Sequence, residues 1–187
     1  MYRVFAQLVF FPTFWWNLWM AKVLGKRNWW DEVDPALILG ARPNRNDATK
    51  LAGLGVTGVV NTCEEYEGPV DRYQDYQIQQ LHIPTIDFTH PRIEDVEKAV
   101  EFITSHAEKG GRVYVHCKAG RARSATVAIC WLMQYRHMSG QQAQERLLRA
   151  RQHVNRRLLN RPVVIEFQRR REFNEKPSRI NHLPRQK

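Results

Sequence analysis

The stretch that decides the fold runs from residue 112 to residue 135 and reads RVYVHCKAGRARSATVAICWLMQY. Its first part, RVYVH, is typical of a short buried strand. Its last part, RSATVAICWLMQY, is largely apolar and long enough for a buried helix. The glycine-containing loop CKAGRA joins the two. The stretch therefore predicts a strand, a tight loop and a helix in direct succession.

Outward from this stretch, strand-like and helix-like segments alternate. Asn46 and Ser139 are the expected N-caps of two helices, and Pro84 is the expected end of a strand. The predicted strands are residues 37–39, 56–62 and 78–83, and the other predicted helices are residues 47–54, 93–107, 139–149 and 162–173. This order indicates an α/β fold with a mainly parallel central sheet flanked by helices.

The composition fits one folded domain with a basic surface. The 187 residues are 43% hydrophobic and 26% charged, which excludes a wholly disordered chain. Lys and Arg number 29 against 19 Asp and Glu, and the net charge of +10 favours a polyanionic partner: nucleic acid, anionic membrane or phosphorylated substrate. The three cysteines include no C-x-x-C pair, so they indicate a reducing compartment rather than a disulfide framework.

The two ends of the chain differ from the domain between them. Residues 4–21 carry no charge and include three tryptophans, and three basic residues follow by position 27. We interpret residues 1–27 as a membrane-associating or targeting segment, with a helix in the interface of an anionic bilayer as the favoured form. Packing on the domain's own surface is the alternative. Residues 28–173 are the predicted domain, and residues 174–187 a basic disordered tail.

The loop between the decisive strand and helix carries the pattern C-x5-R-S, from Cys117 to Ser124. Successive backbone N–H groups at such a junction form an anion cradle, and Gly120 allows its tight curvature. Arg123 offers a planar fork that binds two phosphate oxygens together. Both features lower the pKa of Cys117 and favour its nucleophilic thiolate. A buried cysteine that merely precedes a basic turn is the alternative, but the combined pattern favours catalysis.

Other residues of the loop have predicted supporting roles. Ser124 is placed to hydrogen-bond the sulfur and ease its departure, and His116 to order the loop by hydrogen bonding. The expected substrate-binding residues are Lys118, Ala119, Gly120, Arg121, Ala122 and Ser124. An ATP-binding P-loop is a poor rival because G-x-x-x-x-G-K-[ST] is absent, and no base-reading motif supports nucleic-acid binding.

At these residues the chain resembles the cysteine-dependent phosphatases of the dual-specificity class. More closely, it resembles the mitochondrial protein-tyrosine-phosphatase-like family that dephosphorylates phosphatidylglycerophosphate on the route to cardiolipin. The segments that carry the resemblance are FPTFWWN at residues 11–17, NWWD at 28–31, LGARP at 39–43, EEYE at 64–67 and HCKAGRARS at 116–124. Together they span most of the chain, roughly residues 10–173.

The resemblance implies a dual-specificity phosphatase fold and hydrolysis of a phosphate monoester through a phosphocysteine intermediate. It implies that Asp87, in a loop after a predicted strand, is the general acid that protonates the leaving group. Asp75, Asp95 and Glu64 are weaker candidates for that role. A supporting loop is expected from Glu64, Glu65 and Tyr66. The resemblance also implies a peripheral location on the mitochondrial inner membrane.

The substrate remains open among several classes. Lys118 and Arg121 suit a phospholipid head group with a second, bridging phosphate, although both side chains pointing to solvent is an equal alternative. The competing functions are a phosphoinositide phosphatase, a dual-specificity protein phosphatase and an inactive phosphate-binding adaptor. The intact set of Cys117, Arg123 and Asp87 argues against the adaptor.

The expected partners follow from the same interpretation. They are an anionic phospholipid substrate and a membrane surface, with no nucleic acid and no obligate protein partner. No metal or other cofactor is expected, because the histidines lack the spacing of metal ligands.

Cys63 ends a predicted strand. If that strand neighbours residues 112–116, Cys63 is the cysteine placed to protect an oxidised Cys117 as a disulfide, since Cys130 lies too far along the helix. A simple packing role for Cys63 is the favoured alternative.

Overall fold

The computed structural model describes residues 28–175. The predicted membrane-associating segment, residues 1–27, lies outside the described residues. So does the predicted tail from residue 176 onward, whereas residues 174 and 175 belong to the last helix. The predictions for these two segments therefore stay predictions.

Five strands form one central sheet, in the order β1-β2-β5-β3-β4. Only β1 is antiparallel to its neighbour; β2, β5, β3 and β4 run parallel to one another, as the sequence predicted. The strands are β1 (Trp30–Asp34), β2 (Leu37–Gly40), β3 (Val56–Cys63), β4 (Gln79–Thr85) and β5 (Arg112–His116). The loop that carries the Cys117 pattern therefore leaves the middle strand of the sheet.

Helices cover both faces of the sheet. The helices are α1 (Asp47–Gly53), α2 (Val70–Asp75), α3 (Ile93–Glu108), α4 (Arg123–Tyr135), α5 (Gly140–Ala150) and α6 (Pro162–Glu175), with a short 3-10 turn at Leu158–Asn160. The four longer helices, α3 to α6, share one hydrophobic core with the sheet, and α4 is buried along almost its whole length. The two short helices share a smaller core on the other face, around Leu51, Tyr73 and Tyr114.

The parallel register brings four strand ends to one edge of the sheet. His116 at the end of β5 lies opposite Gly40 of β2 and Asn61 of β3, and Cys63 of β3 lies opposite Thr85 of β4. The loops that follow these strands consequently meet at the same edge. Ligand sites of parallel α/β sheets form at this carboxyl edge.

Three local features differ from the sequence prediction. Strand β1 and helix α2 were not predicted, because β1 is a largely polar edge strand, WDEVD, and α2 is short. Strand β4 continues through Pro84, which an edge strand tolerates because one side of its backbone has no partner strand. Asn46 holds the N-cap position of α1 without a side-chain bond, and Asn44 Oδ1 instead accepts from the N–H groups of Asn46 and Asp47. The capping box of Ser139 is confirmed.

Candidate active site

Cys117 is the first residue after the central strand β5, and it lies at the floor of a cleft. Its side chain is buried, and the hydroxyl of Ser124 donates to Cys117 Sγ at 3.3 Å, as predicted. Burial by itself raises the pKa of this thiol. The charge of Arg123 and hydrogen bonds from the Ser124 hydroxyl and the backbone N–H groups of Ser124 and Ala119 outweigh burial, and they lower the pKa from 9.0 to about 7. A substantial fraction of Cys117 is therefore thiolate near neutral pH.

Gly120 permits the curvature of the cradle, in the way the sequence predicted. Its φ of +65° lies in the left-handed region, and a Cβ there would lie 2.5 Å from the carbonyl carbon and oxygen of Gly40. Both the backbone conformation and the close approach of β2 therefore require glycine at this position.

Arg151, which sequence reasoning did not assign, holds the cradle from behind. Its buried guanidinium donates to the carbonyl oxygens of Ala119 and Gly120, each at 3.0 Å, and also pairs with Asp31. In a planar trans peptide the N–H points opposite to the C=O. Because these carbonyls face Arg151, the amides that follow them, of Gly120 and Arg121, face the other way and line an anion site.

Arg123 is buried, and both terminal nitrogens of its guanidinium form contacts at the carboxyl edge of the sheet. It forms a bidentate pair with Glu65, with both N···O distances 2.8 Å. The same nitrogens donate to the Thr85 carbonyl oxygen at 2.8 Å and contact Asp87 Oδ1 at 3.0 Å. Glu65 therefore fixes the plane of the fork, and Asp87 occupies a position where a phosphate oxygen could replace it.

Asp87 lies in the loop after β4, between two cations. Lys118 Nζ contacts Asp87 Oδ2 at 3.2 Å while Arg123 contacts the other oxygen. The Lys118 side chain is buried against Asp87 rather than directed to solvent. Arg121 is exposed, and its Nε donates to the carbonyl oxygen of His153 at 2.9 Å. Lys118 and Arg121, for which the sequence predicted the same role, therefore have different surroundings.

The loop with the EEYE sequence supports the site from the side of β3. Glu65 reaches Arg123, and the Tyr66 hydroxyl donates to the Pro43 carbonyl oxygen at 2.6 Å. The guanidinium of Arg42 lies over the Tyr66 ring, 4.6 Å from its centroid. Glu64 is exposed, and its backbone N–H donates to Thr85. This loop thus joins the ends of β2, β3 and β4.

His116 is fully buried, but its contacts differ from the predicted hydrogen bonding. Within the described part of the chain, both ring nitrogens lack a hydrogen-bond partner. The ring instead stacks on Tyr114, with centroids 5.6 Å apart, and meets the edge of Tyr66. Burial lowers the pKa of His116 to about 3, so the imidazole is neutral and orders the loop by packing.

The cleft above Cys117 has a volume of about 700 Å³ and is strongly basic. Lys118, Arg121 and Arg123 line it together with two arginines from the segment before α6, Arg156 and Arg161. The sequence analysis missed these last two. Their only signal was the basic run RQHVNRRLLNR at residues 151–161, which nothing local connects to the cleft.

The weaker acid candidates lie elsewhere. Asp75 ends α2 and pairs with Arg72, and Asp95 belongs to the first turn of α3 and pairs with Arg92. Neither lines the cleft.

Between residues 28 and 175, no group of three or more His, Cys, Asp or Glu side chains is arranged to hold a metal ion. None of the helices in the same range has the length and apolarity to cross a membrane. Cys63 lies on β3 next to β5, as the redox hypothesis required, but it is a free, buried thiol whose pKa burial raises.

Comparisons with known proteins agree with this geometry. The profile described as dual specificity phosphatase, catalytic domain, matches residues 37–170. Phosphatidylglycerophosphate phosphatase PTPMT2 of Arabidopsis thaliana is 40% identical over 167 residues, 88% of this chain and 73% of the relative. Phosphatidylglycerophosphatase and protein-tyrosine phosphatase 1 of Homo sapiens is 33% identical over 171 residues, 87% of this chain and 85% of the relative. The crystal structure of PTPMT1 in complex with PI(5)P superposes with a TM-score of 0.72 at 30% identity, covering 79% of this chain and 99% of that one.

The predicted fold and activity class are therefore confirmed. The protein is a phosphoric monoester hydrolase whose catalytic domain uses a cysteine-based mechanism. The chain belongs to the dual-specificity phosphatase family and, within it, to the group of the PTPMT phosphatases.

Proposed function

We propose that this enzyme hydrolyses phosphatidylglycerophosphate to phosphatidylglycerol and inorganic phosphate. The observation that carries the proposal is the cleft itself. A cysteine with a pKa of about 7 lies at its floor, and the walls carry more cations than one phosphate monoester requires. Relatives that are named for this reaction support the same substrate.

In the first step, the Cys117 thiolate attacks the phosphorus in line with the glycerol oxygen. The S–P bond forms as the P–O bond breaks, which gives phosphocysteine and an alkoxide. The cradle amides and Arg123 bind the equatorial oxygens, where charge is concentrated in the transition state. No metal ion takes part in this scheme.

Asp87 donates the proton that the alkoxide requires. Its carboxylate contacts Arg123 and Lys118. An incoming phosphate dianion takes over the Arg123 contact and places negative charge beside the carboxyl group.

The second step returns the enzyme to its starting state. Asp87, now a carboxylate, removes a proton from a water molecule that attacks the phosphorus of phosphocysteine. The S–P bond breaks and the thiolate leaves, stabilised by the Ser124 hydroxyl. Inorganic phosphate is the product.

The membrane is the expected source of this substrate. The uncharged, tryptophan-containing segment within residues 1–27, followed by basic residues, fits association with an anionic bilayer. We place the enzyme at the mitochondrial inner membrane as a peripheral protein, on the strength of the family resemblance. Deleting residues 1–25 should weaken binding to anionic vesicles and leave hydrolysis of a soluble aryl phosphate intact. Aggregation with loss of the soluble activity would instead make the segment part of the fold.

A substrate panel tests the proposal. The catalytic efficiency is measured on phosphatidylglycerophosphate, on phosphoinositides and on phosphotyrosine and phosphothreonine peptides. We expect phosphatidylglycerophosphate to be preferred by at least tenfold. The phosphoinositide alternative is favoured by the PI(5)P bound to PTPMT1 and would be established by preference for those lipids. Preference for the peptides would make the chain a protein phosphatase, and no turnover at all would make it a phosphate-binding adaptor.

A further inference from the structure

Arg161 is a partly buried cation that lines the cleft. It lies immediately before α6, and one terminal nitrogen donates to the Thr89 carbonyl oxygen and to the Thr126 hydroxyl, both at 3.1 Å. Among residues 28–175 it forms no ion pair, in contrast to Arg123 and Arg151. Burial lowers the pKa of Arg161, so the surroundings disfavour its charge. A cation held in this way gains from an anionic ligand.

The position of Arg161 indicates which anionic ligand it binds. It lines the same cleft as Cys117, and its charge interacts with those of Cys117 and Arg123. Thr126, its hydrogen-bond partner, lies three residues after Arg123, which is about one turn along α4. Arg161 therefore lies beside α4 at a point about one helical turn after Arg123, the residue that binds the reacting phosphate.

Arg156 is a second cation of the same cleft, and it lies closer to solvent than Arg161. It lines the cleft, is exposed, and forms no ion pair within the described part of the chain. The next residue, Arg157, is also exposed but does not line the cleft. Arg161 and Arg156 are thus two cations of the cleft in addition to Arg123, which binds the reacting phosphate.

We propose that Arg161, assisted by Arg156, binds a second phosphate of the substrate, the phosphodiester that lies across a glycerol bridge from the monoester being hydrolysed. This inference rests on the proposed function and adds its specificity determinant. The chemical class selected is a glycerol-bridged pair of phosphates, one monoester and one diester. A monoester joined directly to diacylglycerol, as in phosphatidic acid, has no anion to offer this site.

The test is a ratio of catalytic efficiencies on a matched pair of lipids. Short-chain phosphatidylglycerophosphate and phosphatidic acid with the same acyl chains are compared in wild type, Arg161→Met, Arg161→Lys, Arg156→Met and Arg157→Met. We expect the wild type to prefer phosphatidylglycerophosphate, and Arg161→Met to lower that preference about tenfold, mainly through KM. Arg161→Lys should retain part of the preference, because it keeps the charge and loses the fork. Arg156→Met should lower it less, and Arg157→Met is the control that should not change it.

Each outcome decides the matter. If Arg161 only stabilises the loop that contains Thr89, Arg161→Met lowers the catalytic efficiency on both lipids equally. The ratio then stays within twofold of wild type, which overturns the inference. If Arg161→Met fails to fold, the exposed Arg156→Met still decides, and an unchanged ratio there also counts against the subsite. A wild type that hydrolyses both lipids equally contradicts the subsite and leaves the proposed function standing. A wild type that hydrolyses neither lipid contradicts the proposed function itself.

Discussion

The cradle loop, residues 117–122, and the acid loop that carries Asp87 lie side by side but are built differently. The cradle follows β5, which pairs with β2 on one side and β3 on the other. The acid loop follows β4, the edge strand, which pairs only with β3. Arg151 and the Gly40–Gly120 contact fix the cradle backbone, whereas Asp87 is held by ion pairs with Lys118 and Arg123.

This difference corresponds to what each loop has to do. The cradle must present fixed donors to a transition state, and fixed donors stabilise charge without reorganisation. The acid loop must let one carboxyl group release and regain a proton, so ion pairs that a substrate can displace suit it better than a rigid backbone. Changes in the cradle should therefore affect every substrate equally, and changes in the acid loop should affect most strongly those with poor leaving groups.

The largest effect is expected from Cys117→Ser. A hydroxyl is a far weaker nucleophile than a thiolate, so turnover of both lipid and aryl phosphates should fall by about 10⁴-fold or more. Binding of tungstate, a phosphate analogue, measured by calorimetry should persist because the cradle amides remain. Appreciable turnover by the purified variant would contradict the proposed nucleophile.

Arg123→Lys should lower kcat/KM by about 10²–10³-fold on both substrate types. An ammonium group cannot replace the bidentate contacts to Glu65 and the phosphate at once. Arg136→Lys is the matched control, since Arg136 pairs with Asp34 outside the cleft. Efficiency close to wild type in Arg123→Lys would remove this residue from transition-state binding.

Asp87→Asn separates the two loops. We expect kcat/KM to fall by about 10²-fold on an alkyl phosphate, because the alkoxide leaving group needs the proton. The fall in kcat/KM on nitrophenyl phosphate should be much smaller. Asp95→Asn, in the first turn of α3, is the control and should alter neither rate. Equal losses on both substrates in Asp87→Asn would assign the acid role to another group.

Arg151→Met tests whether the cradle depends on its support. Without Arg151 the carbonyl oxygens of Ala119 and Gly120 and the carboxylate of Asp31 lose a buried donor. The free energy of unfolding should fall by about 1–3 kcal/mol, which is measured as a fall in Tm of several degrees. We also expect kcat/KM to fall about tenfold on every substrate. Arg149→Met is the control, because Arg149 is an exposed residue in the last turn of α5, just before Arg151. A loss confined to lipid substrates would show that Arg151 acts on the leaving group instead.

The smallest effect is expected from Ser124→Ala. The Ser124 hydroxyl is one of the groups that lower the pKa of Cys117 to about 7. Its removal should move the acid limb of the pH profile of kcat/KM to higher pH by less than about one unit, because less thiolate is present at a given pH. Ser105→Ala, on α3, is the control. An acid limb that stays in place would assign the profile to a group other than the thiol.

Local patterns predicted the reactive part of the site closely. The bounds of β5 and α4 agree with the predicted residues 112–116 and 123–135, because an apolar strand, a glycine loop and an apolar helix are all signals of neighbouring residues. Parallel pairing was also predictable, and it explains how Glu65 and Asp87 reach Arg123 from distant positions.

The parts that sequence reasoning missed depend on distant contacts. Arg151 acts by reaching both the cradle loop and Asp31, more than a hundred residues earlier. Arg161 acquires its place from Thr89 and Thr126, on two other elements. In the sequence both look like ordinary members of a basic run. The strand β1 was missed because its polar residues make ion pairs with Arg112, Arg136 and Arg151 instead of showing an apolar pattern.

The neutral His116 makes the folded protein less stable at acid pH. An unfolded chain takes up a proton on this ring below its ordinary pKa of 6.5, whereas the folded chain does so only below about 3. Between these values the unfolded state binds more protons, so the free energy of unfolding falls by about 1.4 kcal/mol per pH unit from this group alone. Acidification therefore penalises the folded protein through the same imidazole that packs behind the nucleophile. Neutral or alkaline surroundings favour both the intact fold and the thiolate.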